Sequence, residues 1–199
     1  MDSDSSMITL AGRRHPAITS VQAALPDLPC RDRVFDAVTA NFVINHTPDP
    51  RRAVRELFRV IRPGGCLVAT TWPSQTLSLN QFWNEIMQRA AASPPIGTRL
   101  PPELDFERTI DGFAGILTEA GFEQIDCRQF RWTFEIAPEE LWIAVEAGIS
   151  VVGQTYRTQD AIGRERIRSA YAEITRDRVQ NGLLAFPAIA IIASGRRRN

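Results

Sequence analysis

The chain has few side chains able to do chemistry, and the most suggestive of them fall in one short stretch. His46 is one of two histidines, and an imidazole titrates near neutrality, so it is a candidate to take a proton from a hydroxyl or an amine. The role the sequence favours for it is a local hydrogen bond that braces the turn Thr47–Asp49. Just upstream, Asn41 sits in an apolar run, where an amide needs partners if it is buried. Phe42, next to it, reads either as core or as a wall of a site. His15, between an arginine pair and Pro16, reads as an exposed loop residue. Every basic residue is arginine, so mechanisms that need a Schiff-base or general-base lysine are excluded. Cys30, Cys66 and Cys127 form no CxxC pair; they read as buried, reduced thiols rather than a zinc or redox centre, and no metal site is expected.

Lys+Arg and Asp+Glu are both 23, which leaves no field to attract nucleic acid or anionic lipid. With 199 residues, 44% of them hydrophobic, the chain can bury one good core and is short for two domains. The apolar runs are too short to span a bilayer, and the start MDSDSS is acidic, unlike a signal peptide. These features imply a soluble, cytoplasmic protein, with neither nucleic acid nor membrane involved.

Several elements must hold the candidate residues. Met7 to Arg14 reads as a short helix capped by Ser5 or Ser6, and Ile18 to Gln22 as a short strand. Leu25 to Arg33, with two prolines, is a loop. Phe35 to Ile44 is almost continuously apolar, as in a strand buried on both faces. Asp49 and Pro50 start a helix with Ala53, Val54, Leu57, Phe58 and Ile61 on one stripe. Arg62-Pro63-Gly64-Gly65 ends it, and Cys66 to Trp72 is a second strand, completing a parallel β-α-β unit. Further on, Ser78 to Ala92 reads as a helix, Ser93 to Pro102 as a Pro-rich link, and Glu107 to Ala120 as a helix ending at Gly121. Phe122 to Phe134 looks extended, Pro138 to Ala147 and Gln159 to Gln180 helical, and Phe186 to Ser194 is a last strand. The tail Arg196 to Arg198 reads as a solvated terminus.

The series FDAVTANFVINH, then DP, then RPGG, then CLVATTW, from Phe35 through Trp72, resembles class I S-adenosylmethionine (SAM)-dependent methyltransferases of the type 11 kind. Val21 to Asp36 resembles the segment that precedes that series in the family, and further upstream Asp2 to Met7 (DSDSSM) resembles the family's D-x-S-x-x-M stretch. The resemblance implies an α/β, Rossmann-like fold with SAM bound at the carboxyl ends of the strands. It implies one methyltransferase-like domain over 1–199. Its SAM-binding core would be 2–72, its lid or substrate additions 73–106 and 135–182, and the C-terminal part of its sheet 107–134 and 183–195, with a helical insertion before the last strand. By the same resemblance Asp2 grips the ribose hydroxyls of SAM, the alternative being an acid that faces the dipole of the following helix. Ala24 and Leu25 lie against the cofactor, Asn41 and Phe42 near its sulfonium end, and His46 at the edge of the site. The implied reaction moves a methyl group to an O, N or C nucleophile of a small molecule. Phe82, Trp83, Trp142 and Tyr156 are lid aromatics that read as packing.

Two departures qualify the likeness. The family's first strand and glycine-rich turn would precede Asp2, and no glycine of this sequence takes that place. Ala24 stands where the family commonly has an aspartate that accepts from the adenine amino group. A sheet without that first strand would leave Phe35 to Ile44 with an unpaired edge, open to homo- or hetero-oligomer formation. Three expectations follow: translation that starts upstream of Met1, a non-catalytic remnant or interaction subunit that completes its sheet with a partner, or a rearranged sheet. An NAD-dependent dehydrogenase is disfavoured, because the sequence has neither a Tyr-x-x-x-Lys pair nor GxGxxG.

Overall fold

The computed structural model describes residues 1–75, 77–92, 100–101 and 103–198, so the link Ser93 to Pro102 lies almost wholly outside the described residues. Helices α1 (Ser5–Arg14), α2 (Pro50–Val60), α3 (Ser78–Arg89), α4 (Ile110–Glu119), α5 (Pro138–Glu146), α6 (Ser150–Thr158) and α7 (Ala161–Arg176) accompany strands β1 (Phe35–Asn41), β2 (Ile61–Thr71), β3 (Phe122–Ile136) and β4 (Leu184–Arg197). The strands form one sheet in the order β1-β2-β4-β3. The chain divides into two units: Met1–Ser74 with Leu100–Phe130 and Ala190–Asn199, and Gln75–Arg99 with Arg131–Ile189.

The first unit is organised by β1-α2-β2. Asp49 caps α2 by accepting the Arg52 N–H at 2.8 Å, and Pro50 occupies its first turn, as the sequence predicts. Ala53, Val54, Leu57 and Val60 are buried along its apolar stripe. The helix stops at Val60, and the strand assignment already begins at Ile61, so RPGG lies inside the start of β2. Gly64 has φ +76°, and a Cβ on Gly65 would stand 2.7 Å from the Asp36 carbonyl oxygen; the two glycines let β2 close onto β1. β1 then pairs with β2 in parallel from Ala37↔Cys66 to Asn41↔Thr70.

Several expectations are corrected here. β1 is not buried on both faces: Val38 and Ala40 face the core with Leu67 and Ala69, while Asp36, Ala37, Thr39 and Asn41 are exposed. It is an edge strand paired on one side only, and it ends at Asn41, with Ile44–His46 coiled into a 3-10 turn. No strand forms over Ile18 to Gln22; a lone parallel bridge joins Asp2 to Gln22, with the Ala23 N–H donating to the Asp2 carbonyl at 2.9 Å. The cap of α1 is Asp4, not Ser5 or Ser6, because its carboxylate accepts from the Ser6 and Met7 N–H groups and from the Ser6 hydroxyl. The three thiols are half-buried rather than buried. In the terminal arginine run, Arg197 is no solvated tail residue. Its Nη1 donates to the carbonyls of Phe58 (2.6 Å) and Ile61 (3.0 Å), and its guanidinium lies 4.3 Å from the Phe58 ring centroid. A cation thus satisfies carbonyls left over at the carboxyl end of α2.

In the second unit Phe82, Trp83, Ile86 and Met87 of α3 pack with Leu141, Val145, Ile167, Tyr171 and Ile174. Trp83 and Tyr171 stack with centroids 5.5 Å apart, and the Tyr171 hydroxyl donates to the Pro138 carbonyl at 2.7 Å. Trp142 and Tyr156 pack against this core. The helical insertion before the last strand is present as α5–α7, but α6 escapes the sequence reading, because Val151, Val152 and Gly153 are weak helix formers. Packing overrides propensity at Gly153, where a Cβ would sit 2.5 Å from the Gly148 carbonyl carbon. Gly153→Ala is therefore expected to cost about 1–3 kcal/mol of stability in urea unfolding. Gly115→Ala in α4, with nothing within 4 Å of the added carbon, should instead stabilise by about 0.5–1 kcal/mol.

Candidate functional site

A groove of about 540 Å³ follows the outer edge of β1 from Phe35 to Ala40. Met1, Asp2 and Ser3 with Ala23, Ala24 and Leu25 form its far wall; Leu57 and Val60 of α2 also line it. Val43, His46, Thr47 and Pro48 close the end where β1 finishes. The structure thus brings Asp2, Ala24, Leu25 and His46 to one place from three separate segments.

Each wall has a physical anchor. The 25–33 loop is fastened to α2: the Leu28 N–H donates to Glu56 Oε1 at 2.8 Å. Arg59 donates to both Glu56 oxygens, to Asp32 at 2.6 Å and to the Cys30 carbonyl at 2.8 Å. The Arg59 hydrogen bond, helped by the Leu28 amide against the cost of burial, holds the Glu56 carboxyl below the usual carboxylate range. Arg59 in turn is held more firmly protonated by Glu56 and Asp32. Asp2 Oδ1 accepts the Asp4 N–H at 2.8 Å, and Gln22 Nε2 donates to the Ser3 carbonyl at 3.0 Å, which ties the far wall together. Because Asp4 caps α1, Asp2 is not needed for that task, and its Oδ2 has no partner among the described residues. The 3-10 turn is braced by the Thr47 hydroxyl donating to the Ile44 carbonyl at 2.8 Å and by the His46 main-chain N–H donating to the Val43 carbonyl at 2.9 Å. The His46 side chain is exposed at the groove mouth.

Asn41 and Phe42 are placed differently. Neither lines the groove. Thr70 donates to Asn41 Oδ1 at 2.7 Å and accepts the Phe42 N–H at 2.9 Å, and the Phe42 ring stacks on Trp72 at 4.1 Å. Sequence reasoning did not single out Thr70 and Trp72 as the partners of Asn41 and Phe42. Only the β1–β2 register sets Thr70 opposite Asn41, and nothing local announces it. Among the described residues no group of three His, Cys, Asp or Glu side chains could hold a metal ion, and no helix is long and apolar enough to cross a membrane.

The groove suits the nucleoside half of SAM. Its volume is ample for a small ligand, Asp2 Oδ2 is an open acceptor for a hydroxyl, and Ala24 and Leu25 offer an apolar surface to a flat base. Among the described residues its lining holds no arginine, so these residues supply no guanidinium for a carboxylate.

Glu56→Gln should release the 25–33 loop from α2, at a cost of about 1–3 kcal/mol near pH 7. The sign with pH follows from the depressed carboxyl. Its contribution is complete above the unfolded value and is lost as pH falls through the folded one. Chemical unfolding of the two proteins from pH 7 downward should therefore show a stability gap that narrows in acid.

Residues 1–69 match the family described as "Methyltransferase domain". The demethylmenaquinone methyltransferase of Paenarthrobacter aurescens is 32% identical over 100 residues, covering 50% of this chain and 39% of that protein. The malonyl-[acyl-carrier protein] O-methyltransferase of Enterobacter lignolyticus is 33% identical over 94 residues, 47% of this chain and 38% of that protein. The chain thus spans about two fifths of the length of these curated relatives. A methyltransferase structure from Bacillus halodurans superposes with a TM-score of 0.55 at 16% identity, over 100% of this chain and 81% of that one. The YcgJ protein of Bacillus subtilis gives 0.53 at 17%, over 99% and 80%. The first 69 residues thus match a methyltransferase family, and the chain shares its Rossmann-like fold with these solved structures.

Proposed function

We propose that the chain carries the nucleoside-binding side of a SAM-dependent methyltransferase site, and that the protein moves a methyl group to an O, N or C nucleophile of a small molecule. The observation that carries this reading is the meeting of Asp2, Ala24, Leu25 and His46 around one groove. SAM, when bound, supplies the electrophilic methyl group. The chain's own part is to bind and orient. Asp2 Oδ2 accepts from a ribose hydroxyl, Ala24 and Leu25 face the base, and α2 keeps water from beneath. His46 stands at the mouth, where it can accept the proton released by an attacking hydroxyl or amine. Most of the rate gain in such a displacement comes from holding donor and acceptor in line. Residues 2–72 would serve as the SAM-binding core, 107–134 and 183–195 as the C-terminal part of the sheet, and 73–106 and 135–182 as lid or substrate additions, in a cytoplasmic enzyme.

A second reading has its own observation. β1 is an edge strand whose outer backbone groups border the groove, so it can accept another strand in a homo- or hetero-oligomer. Sedimentation that shows a defined assembly, lost when a proline replaces Thr39 on that edge, would favour it.

Calorimetric titration of S-adenosylhomocysteine tests the first reading. We expect saturable one-to-one binding, about tenfold weaker in Asp2→Ala. Ala24→Asp should tighten it about tenfold by supplying the missing acceptor, since one such bond is worth about 1–3 kcal/mol. No binding to the wild-type chain, or no response to either substitution, overturns the assignment.

A further inference from the structure

The chain balances 23 basic against 23 acidic residues, but the balance does not hold at every place. A recess of about 610 Å³ in the first unit is lined by Gly64, Glu123, Gln124, Arg196, Arg197 and Arg198. Three guanidinium groups therefore meet one carboxylate. That carboxylate is weakly engaged: Arg198 Nη1 stands 3.6 Å from Glu123 Oε1, beyond hydrogen-bond length, and both side chains are exposed. Arg196 Nη1 donates to the Gly64 carbonyl at 3.3 Å, a neutral partner that leaves its charge unmatched. Arg197 Nη1 donates to the carbonyls of Phe58, Arg59 and Ile61, again neutral partners. Burial, and next the nearby Arg33 cation, hold the Arg197 guanidinium below its ordinary value, with Asp32 offsetting part of the effect. Gln124 adds an exposed side-chain amide that can donate. Just ahead of Gly64 in the chain, by contrast, Arg59 is matched by Glu56 and Asp32, and Arg62 by Asp36.

We propose that this recess binds a small phosphorylated anion of the diphosphate class, gripped by Arg196 and Arg198 with the Gln124 amide donating. Guanidinium forks match phosphoryl oxygens in geometry and stay charged at any physiological pH. Arg196 and Arg198 are two residues apart on extended chain, a spacing of about 6–7 Å that suits two linked phosphoryl groups better than one. Arg197 adds positive field while keeping its carbonyls. Because Arg59 and Arg62 are already paired, the excess charge does not run on past Gly64, which favours a compact anion over a nucleic-acid backbone. Binding displaces only the long Arg198–Glu123 contact. The recess shares no lining residue with the groove along β1, so the proposal stands apart from the methyl-transfer reading.

Isothermal titration of inorganic pyrophosphate into the full chain at low ionic strength tests this. Saturable one-to-one binding is expected, about fivefold or more tighter than that of inorganic phosphate. Arg196→Gln and Arg198→Gln should each weaken it about tenfold, and Glu123→Gln, which removes the competing carboxylate, should tighten it about threefold. Arg176→Gln, at an exposed arginine of α7 outside the recess, makes the same change in net charge as the first two and should leave the affinity within about twofold. No saturable binding, equal losses in Arg176→Gln and Arg198→Gln, or weaker binding in Glu123→Gln each overturns the proposal. So does a single-stranded oligonucleotide that displaces pyrophosphate at a lower concentration of phosphate groups, which would make this surface a nucleic-acid contact.

Discussion

The attachment of α2 is the constraint on which the rest of the first unit depends. Its start is fixed by the Asp49 cap and by the ion pair of Arg51 with Glu119 of α4, its end by Arg197 reaching back from β4. Between them the Glu56–Arg59 clasp holds the 25–33 loop against its side. These bonds place Leu57 and Val60 beside the groove, set the loop that carries Leu25, and fix the crossover that brings β1 alongside β2. Exposed ion pairs contribute little one by one. What distinguishes this helix is that both ends and one flank are tied to different parts of the chain. A displacement of α2 would therefore disturb the loop, the crossover and the groove lining together.

How much of this was legible in the sequence follows from how local each signal is. The start of α2 is written in Asp49-Pro50, and its buried face in the spacing of Ala53, Val54 and Leu57, so both could be read directly. The residues around the groove could be named because an ordered series of segments resembles a family, although no one of them is decisive. What could not be read is what depends on distant partners. The exposure of β1 is the clearest case. FDAVTANFVI looks buried on both sides, but alternate positions face out because the strand has one neighbour only. Likewise, the cap of α1 shifted from serine to Asp4, where a carboxylate competes better for the same amides, and α6 formed against its own propensity because Gly153 fits beneath Gly148.

The groove is defined as much by backbone as by side chains. One wall is the unpaired edge of β1, the other a short parallel bridge between Asp2 and Gln22 held by two main-chain hydrogen bonds. Surfaces of this kind bind in two ways: a ligand can use the side chains at the mouth, or an extended chain can use the edge. Asp2 and His46 would serve the first, Phe35 to Ala40 the second. The two uses compete for the same space, which makes the readings of this site exclusive rather than additive.

Alternation along β1 separates the chemistry from the scaffold. Val38 and Ala40 anchor the strand in the core, while Ala37, Thr39 and Asn41 point the other way. The register that seats Ala40 opposite Ala69 is therefore the one that puts Asn41 opposite Thr70. A slip by one residue would turn Asn41 toward the core and expose Ala40, costing both apolar burial and a hydrogen-bonded amide. Gly64 and Gly65 guard against that slip, since the close approach of Gly65 to the Asp36 carbonyl leaves no room for a side chain at that point of the ladder. The turn that looks purely structural in the sequence thus decides, five residues later, where the Thr70 hydroxyl meets the Asn41 amide.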